Sequence, residues 1–166
     1  MSKRRNILLG FGLLSGFAAG VRGLFAGAPA QAAQPARAYA VTHTDAQWRR
    51  LLTSEQYQVL RQAGTERPFS SPLDKEKRAG VFSCAGCDLP LFSSKAKFNS
   101  GTGWPSFWQP LDNAVDEAVD STFGMRRVEV LCRRCGGHLG HVFDDGPKPT
   151  GLRYCMNGVA LKFMPA

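Results

Sequence analysis

Two Cys-x-x-Cys pairs, Cys84/Cys87 and Cys132/Cys135, constrain this chain more than any other feature. Each pair can clamp one edge of a tetrahedral ion, and the 44 residues between them let the two edges meet, so the spacing predicts one Zn(Cys)4 site. Four sulfur ligands leave no open coordination position. The zinc is therefore expected to hold the fold rather than activate water, with folding linked to the metal. Two disulfides are the competing reading, disfavoured because a Cys-x-x-Cys bridge closes a tight loop more typical of redox motifs. Cys155 is left over, and the question is whether it is a buried bystander or a nucleophile.

A chain of 166 residues suits a single core, and one domain over residues 44–166 is expected, as a monomer. The formal charge of +8 suggests nucleic acid at first sight. Yet four of the 21 basic residues, Lys3, Arg4, Arg5 and Arg22, lie in a leader with no acid, leaving 17 against 13 acidic residues from Ala33 onward. That is a mildly basic, solvated surface, and no nucleic-acid partner is expected despite Arg126-Arg127 and Arg133-Arg134. Residues 1–32 read as an export signal. Arg4-Arg5 precedes an apolar run from Ile7 to Ala19, and Ala28-Pro29-Ala30 and Ala30-Gln31-Ala32 offer small-residue cleavage sites. The arginine pair resembles a twin-arginine signal, which carries folded proteins across the bacterial inner membrane and implies a periplasmic protein. An uncleaved anchor is the alternative, but the run is short against the roughly 20 residues a span needs. Export after folding would let zinc enter before the thiols meet an oxidising compartment. Residues 33–43, rich in Ala, Gln and Pro, read as a tether.

Within the domain, Thr44 caps a first expected helix, Asp45 to Leu52. Thr53 with Gln56 forms a capping box for a second, Ser54 to Ala63, with Gly64 placed to end it. Residues 65–80 are polar with Pro68 and Pro72 and read as a covering loop. Beyond Gly80, short apolar runs broken by Gly, Pro and Asn argue for a mostly β core. Strands are expected at Val81-Phe82, Leu89 to Phe92, Arg126 to Leu131 and Val159 to Phe163, with each cysteine pair at a strand end.

A lone cysteine is most often a small buried hydrophobe. The neighbours of Cys155 argue otherwise. Arg153 shares its face in an extended segment and would favour thiolate over thiol, and Asn157 could do so by donating hydrogen bonds. His138 and His141 add two titratable groups in the Gly-rich stretch after the second cysteine pair. A second metal site built from them is the weaker reading, since the zinc already has four sulfurs. Trp104-Pro105-Ser106-Phe107-Trp108 follows two glycines that permit tight backbone excursions. It reads either as a turn planting aromatics in the core or as an aromatic wall for a small apolar group.

Taken together, the cysteine pairs, Ser100-Gly101-Thr102-Gly103-Trp104-Pro105-Ser106-Phe107, His138-Leu139-Gly140-His141-Val142-Phe143 with Asp145-Gly146-Pro147, and Arg153-Tyr154-Cys155-Met156-Asn157 resemble the methionine sulfoxide reductase B family, in that order. The resemblance covers residues 44–166. It implies two antiparallel sheets with short N-terminal helices, a distal structural Zn2+, and reduction of the R epimer of methionine sulfoxide in oxidised proteins. By resemblance Cys155 attacks the sulfoxide sulfur and becomes a sulfenic acid. Trp104 packs on the S-methyl group, His141 with His138 orients and protonates the oxygen, and Arg153 and Asn157 shape the field at the thiolate. Phe143 and Asp145 complete the substrate site. Thr102 stands where many members carry a recycling cysteine, so reduction of the sulfenic acid is expected from an outside thiol such as a thioredoxin-like protein. The competing class is a non-enzymatic zinc-ribbon module, which explains the four cysteines and leaves the other motifs without a purpose.

Overall fold

The computed structural model describes residues 38–166. The expected export signal and residues 33–37 of the expected tether lie outside the described residues. Two short helices open the described part, α1 (Asp45–Leu51) and α2 (Ser54–Gln62), and both begin with a full capping box. Thr53 accepts the Gln56 amide while the Gln56 side chain returns to the Thr53 amide, and Thr44 and Gln47 do the same one helix earlier. Each box satisfies two backbone N–H groups that a helix start otherwise leaves unpaired. Leu52 lies just past α1 in extended conformation. At the end of α2 the left-handed residue is Ala63, at φ 52°, and not the glycine. Gly64 comes one position later and is needed for space: its amide donates to the Gln58 carbonyl at 3.0 Å, and a Cβ there would sit 2.9 Å from that oxygen.

The strands are β1 (Gly80–Cys84), β2 (Pro90–Ser93), β3 (Lys97–Phe98), β4 (Ser106–Phe107), β5 (Val115–Asp120), β6 (Arg127–Cys132), β7 (His138–Phe143), β8 (Arg153–Met156) and β9 (Leu161–Pro165). They form two antiparallel sheets, ordered β2-β1-β9 and β3-β4-β8-β7-β6-β5. The mostly β expectation with two sheets and two short helices holds. Boundaries differ where the chain turns. The last strand starts at Leu161 rather than Val159, because Gly158–Ala160 forms a 3-10 turn. The edge strand β5 was not foreseen, and its pattern explains why: Asp116 is buried while Val119 is 59 % exposed, the reverse of what hydropathy suggests.

Three fully buried rings join the sheets. Phe92 of β2 stacks on Phe107 of β4 at 4.4 Å between centroids, and Phe82 of β1 meets Phe107 edge-on at 5.0 Å. Burying a Phe side chain contributes about 1.5–3 kcal/mol. Leu139, Tyr154 and Met156 extend the same core from the large sheet, and α2 adds Val59 and Leu60. Phe107 thus has the structural role its motif allowed, and Trp108 packs half-buried against the same core.

The other face of the large sheet carries the chemistry. β8 alternates Arg153 and Cys155 outward with Tyr154 and Met156 inward. Register then lines up Phe98, Ser106, Cys155, His141, Glu129 and Ala118 as one row across all six strands. Among the described residues no helix is long and apolar enough to cross a membrane.

Candidate active site and metal centre

The two cysteine turns are built alike. β1 ends on Cys84 and β6 on Cys132, and each strand's last residue accepts an amide from the residue after its partner cysteine, Asp88 at 2.9 Å and Gly136 at 2.8 Å. Both Asp88 and Gly136 are left-handed, at φ 58° and 67°. The Gly136 amide carries no Cβ because the Tyr39 ring would lie 2.3 Å from one. Val41 also donates to the Arg134 carbonyl at 3.0 Å, so the end of the expected tether is seated on the second turn. Arg134 donates onward to the Cys87 carbonyl at 3.0 Å, which ties one turn to the other and gives this arginine an internal partner.

All four sulfurs lie within 4.8 Å of one another, with Cys84–Cys135 at 3.7 Å and Cys87–Cys132 at 3.5 Å. Tetrahedral thiolates at about 2.3 Å from an ion are about 3.8 Å apart, so the donor set fits a metal. All four are free thiols rather than disulfides, and the closest contacts join residues from different pairs. Hydrogen bonds from neighbouring thiols, chiefly Cys132, lower Cys87, and one chiefly from Cys135 lowers Cys132. Hydrogen bonding chiefly to Cys132 raises Cys84 and Cys135. Four thiolates therefore need a cation to coexist.

At the row described above, Cys155 stands between Ser106 of β4 and His141 of β7. β7 can lie this close because position 140 is glycine: a Cβ there would be 2.1 Å from the Cys155 carbonyl. The two histidines are three positions apart, which in a regular strand would put them on opposite faces. A bulge at Leu139 restores them to one face, with ring centroids 5.4 Å apart. Each is held by a carboxylate. His138 Nδ1 meets Glu129 Oε1 at 2.6 Å, and His141 Nε2 meets Asp120 Oδ2 at 2.8 Å. Asp120 also accepts from Arg127 at 2.7 Å, and hydrogen bonds led by the Thr122 amide keep it well below the usual carboxylate range. An ionised Asp120 only accepts, so Nε2 of His141 carries the hydrogen and Nδ1 of the neutral ring is bare. His138 is buried, and its Nε2 has no hydrogen-bond partner among the described residues.

Burial pushes the Cys155 thiol above its ordinary value, while the Thr102 hydroxyl, Arg153 and Ser106 act against it without reversing it. Arg153 thus favours the thiolate as expected, but desolvation outweighs it and the resting group is the thiol. The guanidinium is fixed by a two-pronged pair with Asp145, both contacts at 2.8 Å, and lies 4.4 Å over the Phe143 ring. Asn157 departs from expectation. It is buried, its amide nitrogen donates to the Leu139 carbonyl at 3.1 Å and its oxygen accepts the Glu66 amide at 2.9 Å. Asn157 positions the chain around the bulge rather than hydrogen-bonding the sulfur.

Trp104 is half-buried, and its indole N–H donates to the Glu66 carbonyl at 3.2 Å. The Glu66 carboxylate accepts the Gly158 and Val159 amides at 2.7 and 2.8 Å. Glu66, Asp120 and Glu129 are the participants the sequence did not single out. Asp120 sits in the unforeseen edge strand, and an acidic residue in a polar loop, as Glu66 is, carries no signal that sets it apart from a solvated one.

A SelR domain model matches residues 52–165. The chain belongs to the MsrB family. Among its relatives, the peptide methionine sulfoxide reductase MsrB of Leptospira interrogans is 56 % identical over 126 residues, covering 75 % of this chain and 96 % of that protein. The proteins of the same name from Pseudomonas putida and Bradyrhizobium diazoefficiens are each 58 % identical, over 120 and 126 residues and 90 % and 91 % of their lengths. In this MsrB member the residues picked out by the sequence fall into two main groups, the four cysteines of the two turns and Cys155, His138, His141, Phe143 and Arg153 on one sheet face, with Asp145 paired to Arg153 and Trp104 and Asn157 held by Glu66.

Two outcomes follow from this geometry. Burial lowers His141 below its ordinary 6.5 and Asp120 opposes that, so Asp120→Asn is expected to lower it further. The depressed value means that its contribution to stability is complete above about pH 6.5 and is lost as pH falls through the folded value. NMR titration of the His141 ring checks this, and an unchanged or higher midpoint in the variant refutes it. Stripping metal with a strong chelator under reducing conditions is expected to lower the melting midpoint by about 10 °C or more. An unaltered melt in metal-free protein would show the four cysteines to be an ordinary part of the core.

Proposed function

We propose that this protein reduces the R epimer of methionine sulfoxide in oxidised proteins to methionine, with Cys155 as nucleophile. The observation that carries the reading is the row that sets the Cys155 thiol directly opposite a carboxylate-held His141, in a chain of this family. Cys155 binds the sulfoxide sulfur as thiolate. Its proton passes to His141 at the nitrogen that Asp120 leaves bare, and from there to the sulfoxide oxygen. The S–O bond of the sulfoxide and the S–S bond of the adduct break as a new S–O bond forms at Cys155, so the thioether departs and the oxygen remains as sulfenic acid on Cys155. The sulfur of methionine is reduced by two electrons and that of Cys155 is oxidised by two. His138 supports His141. Arg153, held by Asp145 and Phe143, stabilises the thiolate, and Trp104, locked by its hydrogen bond to Glu66, offers its face to the S-methyl group.

Cys84, Cys87, Cys132 and Cys135 would hold a structural zinc ion, which would lock the two turns together. Position 102 is threonine, and Cys132 is on the face of β6 turned from the Cys155 row, so the metal thiolates do not serve as recycling partners. Two outside thiols, from a thioredoxin-like protein or a small dithiol, return Cys155 to thiol with release of water and formation of a disulfide on the donor. The protein acts as a monomer. A zinc-ribbon binding module is a poorer reading, because it gives the Cys155 row no task.

Turnover of R and S sulfoxide peptides with dithiothreitol tests the proposal. Wild type is expected to consume only the R epimer, Cys155→Ser to show no measurable turnover, and peptide mapping after one turnover to show no disulfide within the chain. Equal use of both epimers or an active Cys155→Ser sinks it. For residues 1–32, the Arg4-Arg5 motif supports export to the periplasm by the twin-arginine route, with cleavage before the tether. Cell fractionation of wild type and Arg4→Lys/Arg5→Lys decides: export is expected to stop in the double variant, and unchanged delivery would refute that route.

A further inference from the structure

Three hydroxyls run in series up to the reactive sulfur. Ser106 Oγ donates to the Trp104 carbonyl at 3.0 Å, Ser100 Oγ lies 2.7 Å from Ser106 Oγ, Thr102 Oγ1 lies 2.8 Å from Ser100 Oγ, and Cys155 Sγ lies 3.9 Å from Thr102 Oγ1. The spacing is kept by the backbone: the Thr102 amide also points to Ser100 Oγ at 3.4 Å, and Gly101 at φ 73° makes the turn between them.

Counting protons along this chain gives two arrangements. With Cys155 as thiol, four hydrogens serve four contacts: S–H to Thr102, Thr102 to Ser100, Ser100 to Ser106, and Ser106 to the Trp104 carbonyl. With Cys155 as thiolate, three hydrogens remain. Thr102 then turns its O–H to the sulfur, Ser100 turns to Thr102, Ser106 turns to Ser100, and the Trp104 carbonyl loses its donor. Only hydroxyl rotations are needed. A hydrogen bond to the charged form favours that form, and at this half-buried sulfur it adds to those of Arg153 and Ser106.

We propose that Thr102 is a thiolate-binding residue for Cys155, and that Ser100 and Ser106 form the relay that turns its hydroxyl to the sulfur on ionisation. Position 102 is thereby not an empty place in the site but the end of a device that offsets part of the burial cost at Cys155. The relay also joins the ionisation state of the nucleophile to the backbone of Trp104. The inference rests on the proposed function for its purpose, though not for its chemistry.

The other groups facing Cys155 are His141 from β7, held by Asp120 and beside His138, and Arg153 on its own strand, paired with Asp145. β4 contributes Ser106, and residues 99–105 contribute no ionisable side chain. Neither Thr102→Val nor Thr102→Ser alters any of these charges. The test is the pH dependence of iodoacetamide alkylation of Cys155, followed by mass of its peptide in the metal-loaded protein.

Thr102→Val is expected to move the midpoint up by about one pH unit, and Thr102→Ser to restore it to near the wild-type value. Ser100→Ala, which keeps Thr102 in place, is expected to give a smaller upward shift. A Thr102→Val midpoint equal to that of wild type overturns the proposal; if that variant does not fold, an unshifted Ser100→Ala midpoint does so. Alkylation needs no sulfoxide. A wild-type protein that reduces no sulfoxide but shows these shifts would refute the function while leaving the role of Thr102 intact.

Discussion

β1 and β6 belong to different sheets and both end on cysteine, with their turns meeting at four sulfurs within 4.8 Å. The rest of the arrangement depends on this meeting point. α2 lies against it through Leu60, which approaches Gly86 and Gly137, one glycine in or beside each turn. β7 leaves directly from the second turn, so its register, its bulge and the direction of both histidines are set from there. Hydrophobic packing of Phe82, Phe92 and Phe107 brings the sheets together, but it does not by itself specify which residue of β7 faces Cys155. A thiolate cluster around an ion is directional where apolar contact is not.

Around Cys155 the opposing effects are of similar kind and different sign. Desolvation favours the thiol, while Arg153 and the hydroxyls of Thr102 and Ser106 favour the thiolate. The balance leaves a protonated resting sulfur opposite a neutral imidazole with one bare nitrogen. In such a pair each hydrogen bond to the sulfur counts for more the less water reaches it. The carboxylates that hold the histidines lie on β5 and β6, so the outer strands of the sheet fix the rings that stand beside Cys155.

Short motifs with a steric or chemical reason for each residue were legible from the sequence. The four-cysteine cluster, both capping starts, the Arg153 to Asn157 strand and the core role of Phe107 all follow from residue types at fixed spacing. Three things were not. Desolvation at Cys155 depends on neighbours from β4 and β7, which no local spacing reveals. The same-face placement of His138 and His141 needs a bulge at Leu139, and a three-residue interval argues against it in a regular strand. The amide of Asn157 goes to Leu139 and Glu66, partners 18 and 91 residues away in sequence. Long-range hydrogen bonds of this kind leave no periodic trace.

Glu66 lies in a stretch with a single 3-10 turn, well before the first strand. Through its carbonyl, amide and carboxylate it holds Trp104, Asn157 and the turn that begins the last strand. Among the described residues every strand begins at Gly80 or later, which invites the view that the smallest working fragment starts there. Such a fragment would retain Cys155, both histidines and all four clustered cysteines. It would lack Glu66, the residue whose backbone holds Trp104 and Asn157 and whose carboxylate holds the turn after β8.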